Sequence, residues 1–126
     1  MSVLGGADWL TDHTQVGVLV GVGATPTRWQ IVRSIRERSA NPFPTLVHPL
    51  AWLGNRVGLG EGTVVCAGNL LTTDLTVGSH TILNLDCTVG HDAVLGDFVT
   101  VAPSVNVRSS TIMTIATRPS RAALSA

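Results

Sequence analysis

The pairing with the clearest chemical promise in this chain of 126 residues is His91 beside Asp92, inside the stretch Val89-Gly90-His91-Asp92-Ala93-Val94. An imidazole changes charge near neutral pH, so it can accept a proton from an attacking nucleophile as a general base. An adjacent carboxylate can fix its tautomer and stabilise the imidazolium that forms. The same dipeptide also suits a solvated turn, so its meaning depends on the element that carries it.

That element is a repeat. From Val47 to Val107 an aliphatic residue stands at every sixth position: Val47, Leu53, Leu59, Val65, Leu71, Val77, Leu83, Val89, Leu95, Val101 and Val107. A helix returns its apolar residues at three and four and a half-buried strand at two, so neither explains a period of six. Hexads are the signature of a parallel β-helix, in which three short strands and three corners make a coil of about eighteen residues, stacked ~4.8 Å above the last. The fourth residue after each aliphatic forms a second inward column, from Ala51, Val57 and Thr63 through Cys87 and Ala93 to Val105, mostly small or β-branched. Gly54, Gly60, Gly78, Gly90 and Gly96 directly follow the aliphatic and are expected to supply positive φ at a tight corner. The architecture expected is mainly β, a left-handed parallel β-helix over residues 47–108. Outward apolar residues one coil apart, Val64 with Ile82 and Trp52 with Leu70, suggest a subunit interface.

The 46 residues before the coil read differently. A short helix is expected to end near His13. Val16 to Val22 has the form of a buried parallel strand; Thr25 and Pro26 look like an N-cap and first helical residue. The helix they open is expected to run to about Ser39, with Trp29, Val32 and Ile35 on one face and Arg28, Arg33, Arg36, Glu37 and Arg38 largely elsewhere. Phe43 to Val47 returns as a strand, which makes 1–46 a partial Rossmann-like α/β unit. Residues 109–126 lose the period and are expected to be irregular or disordered.

Composition narrows the partners. Eight basic residues, all arginine, balance eight acids to give zero net charge, which argues against nucleic-acid or anionic-membrane binding. The apolar run Val16 to Val22 is far too short to span a bilayer and no signal peptide is apparent, so a cytoplasmic protein is expected. Cys66 and Cys87 lack CxxC spacing, and Cys87 falls in an inward column as a small core residue.

Three segments, Thr45-Leu46-Val47-His48-Pro49, Gly60-Glu61-Gly62-Thr63-Val64, and Val89 to Phe98 followed by Val101-Ala102-Pro103, resemble the NeuD/PglD-type sugar acetyltransferases, the sialic acid O-acetyltransferase family. The resemblance spans roughly residues 3 to 107. It implies a Rossmann-like nucleotide-sugar unit followed by a homotrimeric left-handed β-helix, with acetyl-CoA between prisms as co-substrate and a small-molecule sugar, an amino sugar, nucleotide sugar or sialic acid, as acceptor. It places the catalytic histidine at His91, its orienting acid at Asp92, and coenzyme contacts at Thr100 and Ser109. The mechanism implied is direct transfer, without metal or covalent enzyme intermediate, to a sugar amine or hydroxyl.

The chain departs from the family pattern in lacking a GxGxxG segment, in carrying Thr100 where some members have a histidine, and in its aperiodic end, so it reads as truncated at both ends. A second function therefore stands beside the first: a catalytically silent β-helix serving as an oligomerising or binding module. His48, before Pro49, reads as structural and His80 as a solvated corner residue. A trimeric zinc site of the γ-class carbonic anhydrase kind needs two histidines close in sequence, which His48, His80 and His91 do not provide.

Overall fold

A computed structural model describes residues 3–115. After a short 3-10 helix, Ala7–Asp12, comes one α-helix, α1 (Thr25–Arg38). Twelve strands follow among the described residues: β1 (Leu46–Val47), β2 (Trp52–Leu53), β3 (Val57–Leu59), β4 (Val64–Val65), β5 (Leu70–Leu71), β6 (Leu75–Val77), β7 (Ile82–Leu83), β8 (Thr88–Val89), β9 (Val94–Leu95), β10 (Thr100–Val101), β11 (Asn106–Val107) and β12 (Ile112–Met113). They form three parallel sheets, β1-β4-β7-β10, β2-β5-β8-β11 and β3-β6-β9-β12. Leu46 pairs with Val64, Val64 with Ile82 and Ile82 with Thr100, so each coil lies eighteen residues above the last. This is the left-handed parallel β-helix that the hexads predict.

Both inward columns fill the prism. Val65, Leu71, Val77, Leu83, Val89, Leu95, Val101 and Val107 are buried together with Leu75, Cys87, Ala93 and Val99. The polar members of the second column are hydrogen-bonded inside: Thr63 Oγ1 donates to Gly78 O at 2.6 Å, Thr81 Oγ1 to Gly96 O at 2.7 Å, and Asn69 Nδ2 to Asn84 O at 2.7 Å. Short hydroxyls and amides thus bridge successive coils.

The corners are built otherwise than expected. Positive φ recurs every sixth residue at Arg56, Gly62, Gly68, Asp74, His80, Asp86, Asp92, Phe98, Ser104 and Ser110, two positions after the glycine column. The glycines serve close stacking instead. A Cβ on Gly60 would lie 2.5 Å from Gly78 C, and one on Gly90 2.5 Å from Ser109 N.

The amino-terminal unit packs on one of the three edges of the prism. Helix α1 ends where expected, at Arg38, but its N-cap is Ala24. Thr25 Oγ1 donates instead to Phe98 O at 2.8 Å. Arg28, expected on an outer face, is buried at 1% exposure. Its guanidinium donates to five carbonyls, those of Val22, Gly23, His80, Phe98 and Val99. Val20, Val32, Ile35 and Phe43 form a second small core against Phe98. Val16 to Val22 does not form the expected strand. Val18 N–H bonds Pro42 O at 2.9 Å, but a parallel strand needs a whole ladder of partners, and Leu46–Val47 has joined the coil by pairing with β4.

At the other end, β12 pairs with β9, so strand pairing runs past the boundary expected at 108 as far as Met113. The expected irregular tail from 116 onward lies outside the described residues. None of the described helices is long and apolar enough to cross a membrane.

Candidate functional site

His91 and Asp92 sit at the corner between β8 and β9, one of a column of corners that includes Asn55-Arg56, Thr73-Asp74 and Ser109-Ser110. The coils below and above hold its backbone: Asp92 N–H bonds Thr73 O at 3.3 Å, and Ser110 N–H bonds His91 O at 2.9 Å. With Asp92 at φ 60°, in the left-handed region that Asp tolerates well, the two side chains project outward from the prism.

His91 Nδ1 lies 2.9 Å from Asp92 Oδ2. An ionised carboxylate only accepts, so Nδ1 carries the hydrogen, and in the neutral ring Nε2 keeps a free lone pair. Both side chains are about three-fifths exposed, at 60% and 61%, so that lone pair is open to an incoming molecule. The arrangement is that of an oriented general base on a rigid edge.

Ser109 is brought to the same corner, one coil up, with its Oγ against the backbone at Gly90. Thr100 is not. It lies on β10, in another sheet, and its hydroxyl donates to Gly23 O at 2.8 Å in the amino-terminal unit. In this fold Thr100 fastens the two units together.

His80, expected to be solvated, is buried at 2% exposure beneath the amino-terminal unit. Burial, then the charge of Arg36, pushes its proton affinity below the usual histidine range, while Glu61 acts in the opposite sense. His48 is structural as expected, with Nδ1 accepting from Leu50 N–H at 3.0 Å. An apolar hollow of about 360 Å³ follows Leu46, Val64, Cys66 and Leu85 along a different edge from His91.

Directly below the His91 corner, the guanidinium of Arg56 grips both oxygens of Asp74. That hydrogen bond holds the Asp74 carboxyl below the usual carboxylate range, and the charge of His91 adds to the effect. Sequence reasoning passes over this pair. The signal for it is the spacing of eighteen that puts Arg56, Asp74 and Asp92 in one column.

No protein-family model matches the chain, and no curated protein matches it. Solved structures do. A histidine-to-asparagine variant of perosamine N-acetyltransferase from Caulobacter crescentus, in complex with CoA and GDP-perosamine, superposes with TM-score 0.77 at 24% identity, over 84% of this chain and 50% of that one. The acetyltransferase domain of PglB from Neisseria gonorrhoeae gives 0.70 at 26% identity, over 78% of this chain and 49% of that one. WeeI from Acinetobacter baumannii gives 0.69 at 22% identity, over 79% and 47%. The chain spans about half the length of each. The fold is shared with these proteins, two of which are described as acetyltransferases, in keeping with the resemblance carried by the sequence segments.

Proposed function

We propose that this chain is the β-helical part of an acetyl-CoA-dependent acetyltransferase that acts on an amino sugar, most simply as its nucleotide conjugate, with His91 as general base. The observation that carries the reading is the 2.9 Å contact between His91 Nδ1 and Asp92 Oδ2, which leaves Nε2 free on an exposed β-helix edge. It is supported by the shared fold with perosamine N-acetyltransferase, whose solved complex contains CoA and GDP-perosamine.

The chemistry balances without any further group. The acceptor amine attacks the thioester carbonyl as His91 Nε2 takes its proton. The new C–N bond forms, the C–S bond breaks, and the imidazolium returns the proton to the departing thiolate. Asp92 holds the ring and stabilises its charged form. Thr100 and Ser109 are the proposed coenzyme contacts. Ser109 stands beside the base, whereas Thr100 lies in another sheet and, with its hydrogen given to Gly23 O, would meet a coenzyme from a neighbouring prism and as an acceptor.

A homotrimer fits the outward apolar residues. Trp52 and Leu70 pair in register and remain 58% and 41% exposed, and Leu46, Leu50 and Leu85 are also exposed nearby. A second reading, a catalytically silent oligomerising module, is favoured by one observation: Thr100 lies away from the His91 corner and gives its hydroxyl hydrogen to Gly23 O. The experiment that separates them is acetyl-CoA binding by calorimetry, followed by acetyl transfer to amino-sugar nucleotides. Binding and turnover support the enzyme; no binding at millimolar coenzyme leaves the module. Sedimentation at three times the chain mass supports the trimer.

A further inference from the structure

Asp74 lies one coil beneath Asp92, bracketed by the pairing of Leu71 with Val89 and of Thr76 with Val94. The two backbone positions are therefore stacked along one edge, one coil rise of ~4.8 Å apart, and the charge of His91 acts on the Asp74 carboxyl. Arg56, one coil lower again, holds Asp74 in a two-point grip, Nε on one oxygen and Nη2 on the other at 3.1 Å. A fork of this kind fixes the rotamer of the carboxylate as well as neutralising it.

We propose that Arg56 and Asp74 are positioning residues that set the local charge against which His91 takes up its proton. The proposal rests on His91 acting as the base. Among the described residues, the charged groups on this edge are Asp92 beside the imidazole, Asp74 and Arg56 on the coils beneath, and the exposed Arg108 just before Ser109 on the coil above. Released from Arg56, the Asp74 carboxylate favours the imidazolium form over the free base. Without Asp74, the guanidinium of Arg56 is left unpaired below the ring and acts in the opposite sense. An exposed pair, 69% and 40% open at its side chains, adds little to stability, so the fold should survive its removal.

The test follows the His91 imidazole by NMR titration in the full chain, assigned against His91→Gln, in wild type, Arg56→Ala, Asp74→Asn and Arg56→Lys. The pH profile of acetyl transfer is recorded alongside. The titration midpoint should rise in Arg56→Ala and fall in Asp74→Asn, each by about half a pH unit, a size ordinary for partly solvated charges. Arg56→Lys should restore most of the change, and the rising limb of the pH profile should move with the midpoint. A midpoint unmoved in both Arg56→Ala and Asp74→Asn overturns the proposal, whatever happens to the rate. Midpoints that move as stated in a protein that transfers no acetyl group uphold the electrostatic coupling and reject the acetyltransferase reading.

Discussion

His80 Nε2 lies 3.1 Å from Arg36 Nη2, with its ring stacked on Phe98 at 5.0 Å and met edge-on by Phe43 at 4.9 Å. A guanidinium has only donors, so Nε2 accepts and the ring is neutral in the docked state. Phe98 and His80 both occupy positive-φ corners, which aim their side chains out of the prism and into the amino-terminal unit.

Acid should therefore weaken that docking. The folded-state proton affinity of His80 is depressed below its usual value of 6.5 by burial first, then by Arg36, with Arg28 adding and Glu61 and Asp97 opposing. The unfolded chain binds the proton more readily. The contribution of His80 is thus complete above about pH 6.5 and is lost as the pH falls below it, with a slope no steeper than about 1.4 kcal/mol per pH unit. Urea unfolding between about pH 8 and pH 5, followed by the fluorescence of Trp9 and Trp29, measures it. His80→Asn, which suits the left-handed backbone, should flatten the profile; an equal slope in wild type and variant rejects His80 as the source.

Arg28 makes a second demand on the same contact. Replacing it by Met keeps the apolar stem but leaves five carbonyls without their donor. The expected cost is about 2–4 kcal/mol, since buried acceptors lose a charge-assisted partner. Arg28→Lys should recover only part of it, because a single ammonium cannot span carbonyls from two coils and the loop before α1. Unfolding midpoints equal to wild type would show that water replaces the guanidinium without loss.

The coil was legible because one residue class repeats for as long as the prism lasts: from Val65 to Val107 every expected aliphatic is buried. The corners were harder to read. Positive φ falls on Arg56, His80, Asp92 and Phe98 alike, because the corner fixes the backbone while whatever packs outside it selects the side chain. His80 and Arg28 escaped for the same reason. Their burial depends on a contact between units fifty-two residues apart in sequence, which no local period records. His91 and Asp92 stood out through their residue types, but their partners Arg56 and Asp74 appear only when the chain is folded into coils of eighteen.

The glycine column offers a sharp test of close stacking against backbone freedom. Gly60→Ala places a Cβ 2.5 Å from Gly78 C and Ser79 N, which are backbone atoms of the next coil and cannot step aside. Gly58→Ala meets nothing nearer than Leu75 O at 3.9 Å. Overpacking should cost Gly60→Ala roughly 2–3 kcal/mol, against less than about 0.5 kcal/mol for Gly58→Ala. Equal losses in thermal unfolding would mean that coil spacing does not limit these positions.

The two residues at the exposed corner should separate by kinetics. His91→Ala removes the only group there with a free lone pair on an oriented ring, so kcat/KM should fall by roughly 10²–10⁴ with assembly unchanged. Asp92→Asn keeps the left-handed backbone, since Asn tolerates φ 60°, and keeps a hydrogen-bond acceptor. What it loses is the negative charge that steadies the imidazolium, and at 61% exposure water screens much of that charge. Its loss should be smaller, about tenfold, and should fall on kcat more than on KM, because the carboxylate steadies charge that develops on the ring as the proton moves. A fall in Asp92→Asn as deep as in His91→Ala would mean that the ring cannot act without the tautomer the carboxylate fixes, and that charge screening is not what limits the loss.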